Sequence, residues 1–271
     1  MQLQQTEAGM LDRLIKRMAP LAAMALGAAL SGCGDMDVTI NGQEGVPLAE
    51  LDMSGPVPNE IVVASGDKVI ITEGDELTIT VEGDDDAVSD LRFVRDGSML
   101  GVTRESRSWG DSGSAIIRIT MAAPRELVIG GSGEIETPGV ASTAEATIGG
   151  SGTIRLGTVA ADKLEVVIGG AGEIFAAGTA KALEISIGGS GSADFSELTA
   201  DDVEISIGGS GDVTLKSDGE VEANIGGSGN ITVVGSAKCT LNSFGSGTLD
   251  CKPAPGAAAP EAIAAEEPGT E

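Results

Sequence analysis

A five-residue corner that keeps returning constrains this chain more than any other feature. Ile-Gly-Gly-Ser-Gly begins at Ile129, Ile148, Ile187, Ile207 and Ile225, and Ile-Gly-Gly-Ala-Gly begins at Ile168. Successive starts are 19, 20, 19, 20 and 18 residues apart, and a decayed seventh copy, Phe244-Gly245-Ser246-Gly247, follows 18 residues on when the Gly-Ser-Gly parts are aligned. A period this short and regular predicts a solenoid, in which each repeat packs only on its neighbours. The pairs Gly130-Gly131, Gly149-Gly150, Gly169-Gly170, Gly188-Gly189, Gly208-Gly209 and Gly226-Gly227 would then turn the chain at one corner of every coil. Glycine suits such a corner for either of two reasons, a positive φ or the close approach of another backbone.

Alternation within each repeat says which residues face inward. Leu164, Val166 and Ile168 precede one corner, Leu183, Ile185 and Ile187 the next, then Val203, Ile205 and Ile207, then Val221, Ala223 and Ile225. Between them stand Glu165, Glu184, Ser186, Glu204, Ser206, Glu222 and Asn224. One apolar face at period two is a half-buried strand. After the corners, Ile135, Ile154, Ile174, Val213 and Ile231 resume the inward face. Two or three short strands per coil, stacked ~4.8 Å apart, give a β-helix-like solenoid of 18–20-residue coils, with seven coils spanning ~35 Å. The composition fits a narrow aliphatic lumen: of 271 residues 41 are glycine, four phenylalanine, one tryptophan and none tyrosine.

Short strands also precede the repeat, at Ile61-Val62-Val63, Val69-Ile70-Ile71, Leu77 to Val81, Leu91 to Val94 and Ile116 to Ile119, punctuated by Gly-Asp and Asp-Gly turns. This lead-in, the segment Ile117-Arg118-Ile119-Thr120-Met121-Ala122-Ala123-Pro124 and the seven corners together resemble the putative auto-transporter adhesin head GIN domain family. The resemblance covers residues 57–251. It implies an all-β, right-handed β-helix-like solenoid preceded by irregular strands, and a cell-envelope setting. It offers no catalytic residues to carry over.

Both ends read differently from the body. Arg13, Lys16 and Arg17 precede an uncharged, alanine-rich stretch over residues 18–30, too short to span a membrane and suited to a secretory signal. It ends in Leu30-Ser31-Gly32-Cys33, which looks like a bacterial lipobox with Cys33 as the lipidated residue. The expected organisation is a lipoprotein signal peptide over 1–32, a flexible Gly/Pro/Asp-rich tether over 33–56, the solenoid domain over 57–252 and a disordered Pro/Ala/Glu tail over 253–271. By analogy with bacterial sorting signals, Gly34 in place of an aspartate points to the outer rather than the inner membrane. Aligned on Gly-Ser-Gly, Cys239 falls at the position of Val221 and Cys251 at that of Val233, both inward. In an exported chain such a pair is expected as a disulfide, in preference to two free buried thiols.

Chemistry is mostly excluded. Without histidine there is no Ser-His-Asp triad, Cys-His pair or histidine metal ligand. The glycine motif is not a phosphate cradle, since no third glycine follows and no Gly-Lys pair exists. It is not the calcium-binding nonapeptide, because the ligand position holds Ile135, Ile154, Ile174, Ala193, Val213, Ile231 and Leu249. Asp84-Asp85-Asp86, Asp201-Asp202 and Glu266-Glu267 read as solvated charge, and Trp109, in a polar loop, makes a poor sugar platform alone. Sixteen basic against 42 acidic residues give a net charge of −26, which argues against nucleic acid. The expectation is therefore a non-enzymatic, lipid-anchored envelope protein with a binding or spacer surface and no cofactor or metal. It would meet the membrane through its lipid, and envelope polysaccharide or another surface protein through the solenoid. The alternative is an enzyme acting on envelope polysaccharide or a divalent-cation-dependent module, whose mark would be carboxylates and one base aligned across adjacent coils; Arg155, Lys163, Lys181 and Lys216 fall at different repeat positions, so no such alignment is expected.

Overall fold

The computed structural model describes residues 39–105 and 113–254. The lipobox, Cys33, Trp109 and the tail beyond residue 254 lie outside the described residues. The lead-in holds β1 (Glu60–Val63), β2 (Lys68–Glu73), β3 (Thr78–Gly83), a short helix α1 (Asp85–Asp90), β4 (Leu91–Asp96), β5 (Met99–Arg104) and β6 (Ala115–Met121). The repeat holds β7 (Glu126–Ile129), β8 (Glu134–Thr137), β9 (Thr143–Ile148), β10 (Thr153–Ile168), β11 (Glu173–Ile187), β12 (Ser192–Ile207), β13 (Asp212–Lys216), β14 (Glu220–Ile225), β15 (Asn230–Val234), β16 (Lys238–Ser243) and β17 (Thr248–Lys252).

These strands stack in parallel register as a β-solenoid. Before the corner the ladder runs β5, β1, β7, β9, β10, β11, β12, β14, β16. After the corner it runs β6, β2, β8, β10, β11, β12, β13, β15, β17. The seven coils of the repeat are thus continued by two further levels made from the lead-in. The chain does not lay these down in order: β1 and β2 sit between the later β5–β6 level and the β7–β8 level. In the middle coils the strands shift register near Leu156 and Phe175 and run on into a third side, where Val159 pairs with Gly178 and Gly178 with Leu198.

Inward positions form one continuous core. Ile129, Ile148 and Ile168 are fully buried, and Ile187, Ile207 and Ile225 nearly so. Each such side chain removed from water contributes about 1.5–3 kcal/mol. The lumen is not purely aliphatic, since Phe195 lies fully inside it at a position Leu215 fills one coil later. Phe93, the other buried ring, belongs to the cap.

One end of the stack is closed. There β3 pairs antiparallel with β6 and β4 antiparallel with β5, and α1 joins them. The sequence suggested only a turn at Gly83-Asp84; the helix begins there because Asp85 and Asp86 place acids in its first turn, favourable to its dipole. Part of the expected tether lies on this cap. Val46 and Phe93 exchange both backbone hydrogen bonds, 2.9 and 2.8 Å, and Leu51 and Ile40 are buried. The reason is apolar residues the Gly/Pro/Asp composition concealed: Ile40 packs with Val62, Val94, Met99 and Val128 on the outer sheet face.

Candidate functional site

The functional geometry among the described residues is that of surfaces: the glycine corner, the outer ladders, and the last coil.

At the corner, three stacked glycine positions obey different rules. At the second, a Cβ on Gly150, Gly170, Gly189, Gly209 or Gly227 would collide with the carbonyl oxygen of the glycine one coil earlier, and on Gly131 it would lie 2.9 Å from the Ser65 carbonyl oxygen. At the third, a Cβ on Gly152 would come within 2.6 Å of the Ile129 side chain. The first position is open: Gly130 has nothing within 4 Å, and Gly149, Gly169, Gly188, Gly208 and Gly226 only contacts of 3.7–4.0 Å. None of these residues has a positive φ. Close backbone approach is therefore the reason for glycine at two positions, and sterics give no reason for it at the first. Phe244 shows this directly. It occupies the first position in the last coil, its N–H donating to the Ile225 carbonyl as that of Gly226 does to Ile207.

The outer face of the pre-corner ladder carries a feature the sequence pattern held only in pieces. Glu60, Glu126, Glu145, Glu165, Glu184, Glu204 and Glu222 stand in register on successive levels. Partial burial, then the charge of neighbouring acids, pushes Glu60, Glu126 and Glu145 above the ordinary carboxyl range. Lys163 enters this ladder, its Nζ 3.1 Å from Glu165 and 3.3 Å from Glu184. Carboxylates with one base aligned across coils thus exist, as the alternative reading required. The hydrogen bond to Glu165, aided by Glu184, raises the Lys163 ammonium above its usual value. A general base needs the opposite shift. Among the described residues no group of three or more acidic or cysteine side chains is placed to hold a metal ion.

On the post-corner face, Lys68 pairs with Glu136 at 2.7 Å and Glu134 at 3.4 Å, Arg155 pairs with Glu134 at 3.1 Å, and the Arg155 guanidinium lies 4.3 Å from the Phe175 ring centre. Between the two faces of the lead-in levels, Asp67 takes the third corner position, where the repeat has glycine. Its side chain points in and is fully buried, accepting from Arg104 Nε at 2.8 Å, Arg104 Nη2 at 2.5 Å and the Ala115 N–H at 2.9 Å. This pair ties the β5–β6 level to β1–β2. Sequence reasoning missed it because Ser65-Gly66-Asp67 does not look like Gly-Ser-Gly.

The last coil carries the cysteine pair in the expected register, Cys239 beside Val221 and Cys251 beside Val233, and the two form a disulfide. Nothing among the described residues stacks beyond it. Phe244 is 67% exposed and Leu241 40%, two of the three exposed large apolar side chains among the described residues.

A sequence profile described as "Putative auto-transporter adhesin, head GIN domain" matches residues 58–237. The chain belongs to this head GIN domain family. Among solved structures, a putative adhesin from Bacteroides fragilis NCTC 9343 is 20% identical, with a TM-score of 0.62 over 73% of this chain and 92% of its own. A putative lipid binding protein from Parabacteroides distasonis ATCC 8503 is 21% identical, with a TM-score of 0.57 over 72% and 93%. A putative adhesin from Parabacteroides merdae ATCC 43184 is 17% identical, with a TM-score of 0.54 over 72% and 92%. At these identities the structures share the GIN solenoid fold and nothing finer. No protein of curated function matches the chain.

Proposed function

We propose that this GIN domain chain is a lipid-anchored adhesive rod of the bacterial outer membrane, held at its capped end and without enzymatic activity. The observation that carries the reading is where the N-terminal segment meets the body. Ile40, seven residues after Cys33, packs on the cap level beside Gly101, whose Cβ would lie 2.6 Å from the Ile40 side chain. Seven extended residues reach at most ~25 Å. Nine levels at ~4.8 Å put the last coil ~38 Å further along the stack. A lipid on Cys33 therefore holds the cap near the membrane and presents β16, β17 and Phe244 away from it. The adhesive character is drawn from the family, and the partner classes remain envelope polysaccharide or a second surface protein. The raised pKa of Lys163 and the absence of histidine support a surface that binds without turnover.

Globomycin treatment tests the anchor: the uncleaved precursor should accumulate, and Cys33→Ser should release the protein from the membrane fraction. Normal processing under the drug, or a membrane-bound Cys33→Ser protein, overturns the anchoring. Protease added to intact cells should cut the chain if the rod faces outward.

A further inference from the structure

The two ends of the stack are treated in opposite ways. At the cap, β4 has its outer edge bonded by Val46 and its apolar face packed by Leu48 and Leu51. At the other end, β16 and β17 leave an edge that no described residue covers. Exposed edges are ordinarily guarded by charged side chains, lysine above all, by proline or by a bulge. This one has no bulge, and each of its two lysines is held by an acid. Residues 238–252 contain no proline, Lys238 is neutralised by Glu220 at 3.0 Å, and Lys252 by Asp250 at 2.7 Å. In a chain of net charge −26, the last coil carries Lys238 and Lys252 against Asp250, a balance of +1. It is thus a surface on which two copies of this acidic chain can meet with little like-charge repulsion.

We propose that the last coil is a self-recognition surface, and that two copies join tip to tip through antiparallel pairing of β16 with β16. A second copy is favoured because small polar side chains of the last coil already bond side chains of the same or similar kind on the coil below. The Asn242 side-chain amide donates to Asn224 at 3.2 Å, the Ser246 and Ser228 hydroxyls are 3.3 Å apart, and the Thr248 hydroxyl donates to Asn230 at 3.0 Å. Another last coil offers the same side-chain chemistry to these groups. Register is restricted too. Residues directly opposite in an antiparallel pair share a face. To keep Cys239 and Leu241 over the lumen in both copies, the twofold axis must pass at Thr240 or Leu241. Such an interface is isologous and closes after two copies. The tail over 255–271 is the competing occupant, but it has three prolines and four glutamates, and Ile263 and Thr270 are its only β-branched residues, a poor ladder composition. This inference deepens the adhesive reading, since rods anchored at their caps would pair across two facing membranes.

The test is sedimentation of the full chain in a mild non-ionic detergent, with Leu241→Lys and Phe244→Glu beside it. Leu241→Lys brings two like charges together near the axis, and both positions are exposed enough to leave the fold intact, which equal melting temperatures in dilute solution would verify. We expect a concentration-dependent dimer with a Kd of about 1–100 μM, as for a small transient interface. Leu241→Lys should weaken it by about tenfold or more. A chain that stays monomeric at about 200 μM, or a dimer indifferent to both substitutions, overturns the proposal. A monomer that dimerises only after a stop codon follows Ala254 also overturns it, by showing that the tail covers the edge. Pairing in solution does not require the lipid, so a failed anchor leaves this result unchanged, and failed pairing leaves the globomycin result unchanged.

Discussion

Gly169 and Gly170 are neighbours with the same side chain, yet the stack constrains them differently. A Cβ on Gly170 would strike the Gly150 carbonyl oxygen, and backbone cannot move without disturbing the coil below; a Cβ on Gly169 has 3.8 Å of room. Gly170→Ala is expected to cost about 1–3 kcal/mol, as overpacking does, and Gly169→Ala less than about 0.5 kcal/mol. For a body of this size that is a fall in Tm of about 3–10 °C against almost none; equal shifts in a thermal melt would contradict the account. Asp67 is the opposite case, a charged residue at a glycine position. Asp67→Asn leaves the Arg104 guanidinium, 14% exposed, without its counter-charge. The expected loss is about 3 kcal/mol, the lower end for breaking a buried pair. A denaturant midpoint that barely moves would show that the Gly113 carbonyl, which accepts from Arg104 Nη2 at 3.1 Å, and solvent suffice.

Among the elements, the pre-corner ladder stacks like charges. Seven glutamates in register oppose one another across strands, and each directly opposed like-charged pair costs on the order of 0.2–1 kcal/mol. Burial, followed by this repulsion, raises Glu60, Glu126 and Glu145 in the folded state. A carboxyl whose pKa is higher folded than unfolded contributes stability that is complete below its unfolded pKa and lost as pH rises through the folded one. The melting temperature should therefore climb as pH falls from 7 towards about 5. Glu136, held below the usual range by its hydrogen bond to Lys68, acts in the other direction, and its effect appears at lower pH. Glu145→Gln should raise Tm at pH 7 by about 1–3 °C and flatten the slope. An unchanged slope would mean the glutamates relax into solvent instead of repelling one another.

For the whole molecule, the asymmetry between a closed cap and an open last coil decides where stability is lowest. A solenoid frays from an end that lacks a neighbour. The Cys239–Cys251 disulfide lies in that terminal coil, at an inward position of each of its two strands, and closes a loop of 12 residues. Loop-closure entropy for this length corresponds to ~2–3 kcal/mol. Reduction should therefore speed amide exchange in β16 and β17, with β7 to β12 protected as before. Exchange that accelerates evenly along the stack would show that the body unfolds as one unit with its last coil.

Period, corner and alternation were legible in the residues because a solenoid repeats its environment: Ile148, Ile168 and Ile187 meet the same neighbours, so the same residue recurs. The register of Cys239 and Cys251 followed from the same counting. What did not repeat could not be counted. Asp67 joins the stack through a different residue type, Val46 and Leu51 dock onto a cap formed by sequence-distant strands, and Phe195 is buried where the next coil has Leu215. The lead-in levels are out of chain order, and a period read along the chain carries no information about order in space. The sequence by itself determined a parallel β-solenoid with an aliphatic core and named the turn residues, since local chemistry and a fixed period suffice for that. Only the tertiary structure decided why the glycines are needed, by showing which backbone approaches them, and which end is closed, because capping depends on contacts between segments far apart in the chain.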